Sequence, residues 1–194
     1  MLPESWVDSL KQTLNRLQQS KERPLRVVIL GIGHELRGDD AAGLVVARQL
    51  QPLAGDSLLV IEAGPAPENQ TGRIRRFAPD LILFVDAAQL GETPGAIRCL
   101  PWQETSGLSA STHTLPPYML ARFLTAELGC EVSLIGIQPE QDVLGSSLSP
   151  VVEEAVGWVS KVLAHLLDLP GGQLPGYRSL SGFCLLPPLP KPVL

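Results

Sequence analysis

Asp40, Asp86 and His113 are the residues of this 194-residue chain best suited to share a metal ion. Asp40 closes the segment Ile29-Leu30-Gly31-Ile32-Gly33-His34-Glu35-Leu36-Arg37-Gly38-Asp39-Asp40, Asp86 ends the apolar run Leu81-Ile82-Leu83-Phe84-Val85, and His113 lies in Ser111-Thr112-His113-Thr114. Each is a ligand type set where a strand ends or a helix starts, the edge at which open α/β sheets form their sites. Two carboxylates and one imidazole suit a hard-to-borderline divalent metal and leave coordination positions open.

Simpler roles compete at each position. An aspartate before a helix is a good N-cap and interacts well with the helix dipole, so one of Asp39 and Asp40 is expected to cap and the other to remain a ligand. Asp86 either binds loop amides or faces the site. His113 is either a satisfied polar residue near a helix start or a ligand. His34 could face the same site or serve only its loop. His165 sits beside Leu163, Leu166 and Leu167 and reads as structural.

The elements that must position these residues alternate between strand and helix. Residues 5–20 form an amphipathic helix with Trp6, Leu10, Leu14 and Leu17 on one stripe and Ser5 as its cap. Short β-branched runs predict strands at 26–31, 57–62, 81–85, 95–100 and 131–137, the fourth a less buried edge. Helices are expected from Asp39 or Asp40 to Leu50, over 70–77, over 117–128 with Pro117 in the first turn, and over 148–169 with Ser149-Pro150 opening it. This alternation predicts an α/β fold with a mostly parallel sheet covered on both faces. Beyond Pro170 prolines recur at 170, 175, 187, 188, 190 and 192, which excludes a central strand and suits an extended arm. The domain organisation is then an N-terminal helical extension (1–24), an α/β domain (25–169) and a Pro/Gly-rich C-terminal tail (170–194).

Composition narrows the function. With 44% hydrophobic and 18% charged residues the chain is an ordinary folded protein. A net charge of -5 argues against a nucleic-acid partner, which needs a basic face. No apolar run is long enough to span a bilayer, and the N-terminus lacks a signal-peptide core. Cys99, Cys130 and Cys184 are isolated and odd in number, which suits a reducing cytoplasm. Gly31-Ile32-Gly33 after a strand is only half of a dinucleotide fingerprint. Its third glycine would fall at Leu36, and Asp39 and Asp40 would repel a pyrophosphate. No H-e-x-x-H helix or G-x-S-x-G elbow is present, and no cysteine has a histidine near it in sequence.

Read in order, these segments resemble the hydrogenase maturation protease family over roughly residues 25–168. The resemblance is carried by Leu30-Gly31-Ile32-Gly33, Gly38-Asp39-Asp40-Ala41-Ala42-Gly43, Glu62-Ala63-Gly64-Pro65-Ala66-Pro67-Glu68-Asn69 and Phe84-Val85-Asp86-Ala87. Thr112-His113, Gly136-Ile137-Gln138-Pro139-Glu140 and Leu148-Ser149-Pro150 complete it. The Ala-Pro-Glu-Asn and Gly-Ile-Gln-Pro pieces look most like members acting on membrane-linked or formate-associated hydrogenases. His34 departs from the asparagine usual in the family.

The resemblance implies a three-layer α/β/α sandwich around a five-stranded twisted sheet. It implies an endopeptidase that removes the C-terminal extension of a [NiFe] hydrogenase large-subunit precursor, just after the histidine or arginine of its terminal cysteine motif. It further implies that Asp40, Asp86 and His113 contact nickel carried by that substrate, so that cleavage checks metal loading. The expected free protein is a cytoplasmic monomer that binds other divalent metals weakly. A nickel chaperone that binds the same precursor without cutting it is the alternative.

Overall fold

The computed structural model describes residues 5–108 and 116–167. His113 and the Pro/Gly-rich tail lie outside the described residues.

Helix α1 (Trp6–Gln19) starts at Ser5, whose Oγ accepts the Val7 N–H at 3.3 Å. Strand β1 (Val27–Ile32), helix α2 (Ala42–Leu50), strand β2 (Leu58–Gly64), helix α3 (Thr71–Phe77) and strand β3 (Leu81–Ala87) follow. The second half holds strand β4 (Ile97–Pro101), helix α4 (Pro117–Leu128), strand β5 (Glu131–Ile137) and helix α5 (Pro150–Leu166). The five strands form one sheet in the order β2-β1-β3-β5-β4. All neighbours are parallel except β4, which runs antiparallel to β5 at the edge. That strand is only half-buried, as its less continuous apolar pattern anticipates.

The alternate faces of the strands feed two apolar layers. Val27, Ile29, Leu81, Leu83 and Val85 pack with α2, α5 and the Trp6 and Leu10 side chains of α1. Val28, Leu30, Ile82, Phe84 and Leu134 pack with Ile74 of α3 and Leu120, Ala121 and Leu124 of α4. The result is a three-layer α/β/α sandwich. Strands β1 and β3 are buried at every residue, as a strand covered on both faces must be. Because β2 and β3 lie on opposite sides of β1, and α2 and α3 on opposite faces, winding reverses between β1 and β3. Ligand crevices of open α/β sheets form at such a reversal, beyond the carboxyl ends of the strands.

Candidate active site

Three glycines bring the segment after β1 onto the end of the sheet. A Cβ on Gly31 would lie 2.3 Å from the Gly43 carbonyl oxygen and 2.7 Å from the Ala47 Cβ, so the strand can touch α2 only without a side chain there. A Cβ on Gly43 would lie 2.1 Å from the Val85 carbonyl oxygen and 2.4 Å from that of Ile32. The start of α2 therefore rests directly on the ends of β3 and β1. Gly33 adopts φ +133°, and a Cβ on it would overlap the Asp40 carbonyl oxygen at 1.7 Å. That carbonyl accepts the His34 N–H at 3.2 Å, and the Asp40 N–H donates to the Arg37 carbonyl at 3.0 Å. Both sides of the Asp40 backbone are fixed by its own loop, and the residue is buried.

Asp86 follows Val85, the residue on which Gly43 sits, and its register partner in β5 is Gly136. Asp86 is buried, and among the described residues its Oδ1 has no hydrogen-bond partner. Burial pushes its carboxyl well above the usual carboxylate range, the Asp40 charge pushes the same way, and the Ala87 N–H opposes both. Two predicted ligands, one from the turn before α2 and one from β3, thus come within electrostatic reach beyond the ends of β1 and β3. A buried acidic pair with an unsatisfied oxygen calls for a proton or a cation. This is a donor set that fits a divalent metal.

Asp39 does something the sequence reading did not anticipate. A short 3-10 turn over Gly38–Ala41 precedes α2, and no side chain caps either element. The fully buried Asp39 carboxylate instead reaches the segment after β5. It accepts N–H bonds from Glu140 (2.9 Å), Gln141 (3.0 Å) and Ser149 (2.6 Å), and the Ser149 hydroxyl at 2.9 Å. Ser149 still precedes Pro150 at the start of α5, but its hydroxyl serves Asp39 rather than the helix. Asp39 is therefore a loop anchor rather than a helix cap, while Asp40 lies within electrostatic reach of Asp86.

Gln138 is a second residue whose part was not read from its type. Its Oε1 accepts the Leu90 N–H at 2.7 Å and its Nε2 donates to Gln89 at 3.1 Å, tying the stretch that follows Asp86 to the end of β5. Its position directly after a strand, in Gly136-Ile137-Gln138-Pro139, was the only available signal.

Other candidates separate clearly. His34 Nδ1 accepts the Leu36 N–H at 3.2 Å. A neutral imidazole with that acceptor carries its proton on Nε2, so metal ligation would require giving up the loop bond. His165 is exposed in the last turn of α5. Burial pushes the Cys99 thiol up to about 12 and the Cys130 thiol up to about 11, the reverse of an activated nucleophile. Among the described residues no group of three His, Cys, Asp or Glu side chains is arranged to hold a metal. The third predicted ligand, His113, is outside them.

Residues 44–165 match the hydrogenase maturation protease family. The hydrogenase 3 maturation protease of Escherichia coli (strain K12) is 35% identical over 119 residues, which are 61% of this chain and 74% of that one. The crystal structure of the [NiFe] hydrogenase maturation protease HycI from Thermococcus kodakarensis KOD1 superposes with a TM-score of 0.70 at 34% identity, covering 79% of this chain and 99% of that one. The solution structure of the endopeptidase HycI from Escherichia coli gives a TM-score of 0.64 at 30% identity, covering 71% and 88%.

Proposed function

Because the chain belongs to the hydrogenase maturation protease family, we propose that it removes the C-terminal extension of a nickel-loaded [NiFe] hydrogenase large-subunit precursor. In this reading Asp40, Asp86 and His113 recognise the nickel that the substrate carries. The observation that supports it most is the buried Asp40–Asp86 pair with its unpartnered Asp86 oxygen. Such a pair is poorly satisfied alone and gains from a cation delivered into the crevice.

The division of roles follows from placement. Asp40 is held by a rigid loop and Asp86 by a central strand, so both present oxygens with little reorganisation. His113 would add an imidazole from the segment before α4. Nickel on the substrate would polarise the scissile carbonyl and lower the pKa of a water. Asp40 or Asp86, ionised once the substrate's nickel stands beside the pair, is suited to take a proton from that water. Two carboxylates and one imidazole bind borderline divalent ions only modestly. Modest affinity serves a loading checkpoint, since a protein that held its own metal tightly would cut regardless of the substrate's state.

The test replaces the trio one residue at a time, as Asp40→Ala, Asp86→Asn and His113→Ala, against the nickel-loaded precursor. Each variant is expected to lose cleavage at least about 100-fold while unfolding as one cooperative unit. Wild-type cleavage rates from any of them would remove that residue from the site. Should the wild-type protein bind the precursor and leave its C-terminus intact, the chaperone reading takes over.

A further inference from the structure

We propose that Leu36, Val143 and Leu144 form a docking patch for an apolar stretch of the precursor polypeptide beside its scissile bond; this rests on the protease reading above. The three are 60%, 56% and 71% exposed. The remaining large exposed apolar side chains among the described residues lie on helices, Met119 and Phe123 one turn apart on α4 and Val151 alone on α5. Scattered apolar residues need no explanation, but three gathered on adjoining loops beside a site do.

The two loops behave as one plate. The Gly145 N–H donates to the Leu36 carbonyl at 2.7 Å, the Gly38 N–H to the Ser146 carbonyl at 3.2 Å, and the Asp39 N–H to the Gln141 carbonyl at 3.2 Å. The Arg37 guanidinium donates to both Asp142 oxygens at 2.9 and 2.8 Å. The Asp39 carboxylate pins residues 140, 141 and 149 from below. Apolar side chains are thus held out in water on an ordered backbone, where binding loses little conformational entropy.

The inner end of the plate is the turn that carries Asp40 itself. A polypeptide whose peptide bond lies over the Asp40–Asp86 crevice is continuous with the plate, so the substrate chain is the occupant that the geometry favours. Apolar side chains of that chain supply the complementary chemistry. A second copy of this protein is the competing occupant.

The test is the triple variant Leu36→Ser, Val143→Ser, Leu144→Ser, measured with the nickel-loaded large-subunit precursor. We expect KM and the precursor Kd to rise about tenfold or more, with the loss on KM rather than kcat. Phe123→Ser, an equally apolar exposed change on α4 outside the plate, leaves both where they were. If the triple lowers the urea midpoint, Leu144→Ser alone is read instead, with about a threefold rise expected. Unchanged KM and Kd overturn the proposal. So does a wild-type dimer in sedimentation that the triple variant dissociates without changing the precursor Kd. Precursor that binds but is not cut defeats the protease reading while the patch still stands or falls on the Kd ratio.

Discussion

Replacing Asp39 by alanine should unfold this protein far more readily than any change at its exposed loops. The carboxylate is fully buried and accepts four bonds, from the Glu140, Gln141 and Ser149 N–H groups and the Ser149 hydroxyl. Each buried donor left without a partner costs about 1–3 kcal/mol. The Ser149 donors are buried, whereas those of Glu140 and Gln141 are partly accessible and regain water. The expected total is about 3–5 kcal/mol, a large part of a typical stability of about 5–15 kcal/mol. At about 2 kcal/mol per molar of urea, the midpoint should fall by about 1.5–2.5 M. Asp39→Asn keeps one acceptor and turns its amide towards donors, so it should recover less than half of the loss. Urea titrations followed by tryptophan fluorescence measure both. A midpoint for Asp39→Ala within about 0.5 M of wild type would refute the anchoring role and, with it, the rigid plate that carries the exposed patch.

Three further changes probe separate features. Asp80 accepts bonds from Arg23, Lys21 and the Arg26 N–H; burial would raise its carboxyl, but these partners hold it down to about 2. A depressed carboxylate stabilises the fold above its unfolded pKa of about 4, and that contribution is lost as pH falls towards 2. Because Arg23 and Lys21 are solvent-exposed, Asp80→Asn should cost only about 1–2 kcal/mol at pH 7, and its urea midpoint should converge on wild type near pH 2. Ala78 ends α3 with φ 48°, a left-handed conformation that disfavours a Cβ. Ala78→Gly should therefore raise stability by about 0.5–1 kcal/mol, and a lower melting temperature would contradict the strain. Gly43→Ala would drive a Cβ into the Val85 carbonyl oxygen and lift α2 from β3. It should destabilise by about 1–3 kcal/mol and reduce cleavage beyond that loss, since it separates Asp40 from Asp86; full activity would show that their spacing does not matter.

Much of this architecture can be read directly from residue patterns. The continuous apolar runs at 27–32 and 81–87 are strands buried on both faces, and periodicity alone identifies them. The antiparallel placement of β4 is less accessible, because local pattern marks an edge but not its direction. Asp40 and Asp86 stand out because a carboxylate interrupts or ends an apolar segment. The role of Asp39 could not be read this way. The three residues that supply its four bonds lie 101–110 residues away, and only the folded sheet brings them to it. Gly43 falls inside the helix expected up to Leu50, and periodicity does not show that it decides how closely α2 approaches β3. Long-range close approach is a property of packing and leaves little local trace. The Pro-rich composition of the tail speaks only to its backbone preferences.

The central claim is that nickel on the substrate completes the Asp40–Asp86–His113 site. The most direct measurement compares cleavage of nickel-loaded and nickel-free large-subunit precursor under identical conditions, read by mass spectrometry of the precursor's C-terminus. The account predicts one C-terminal cut in the loaded precursor and none in the metal-free form. Equal cleavage of both would contradict it.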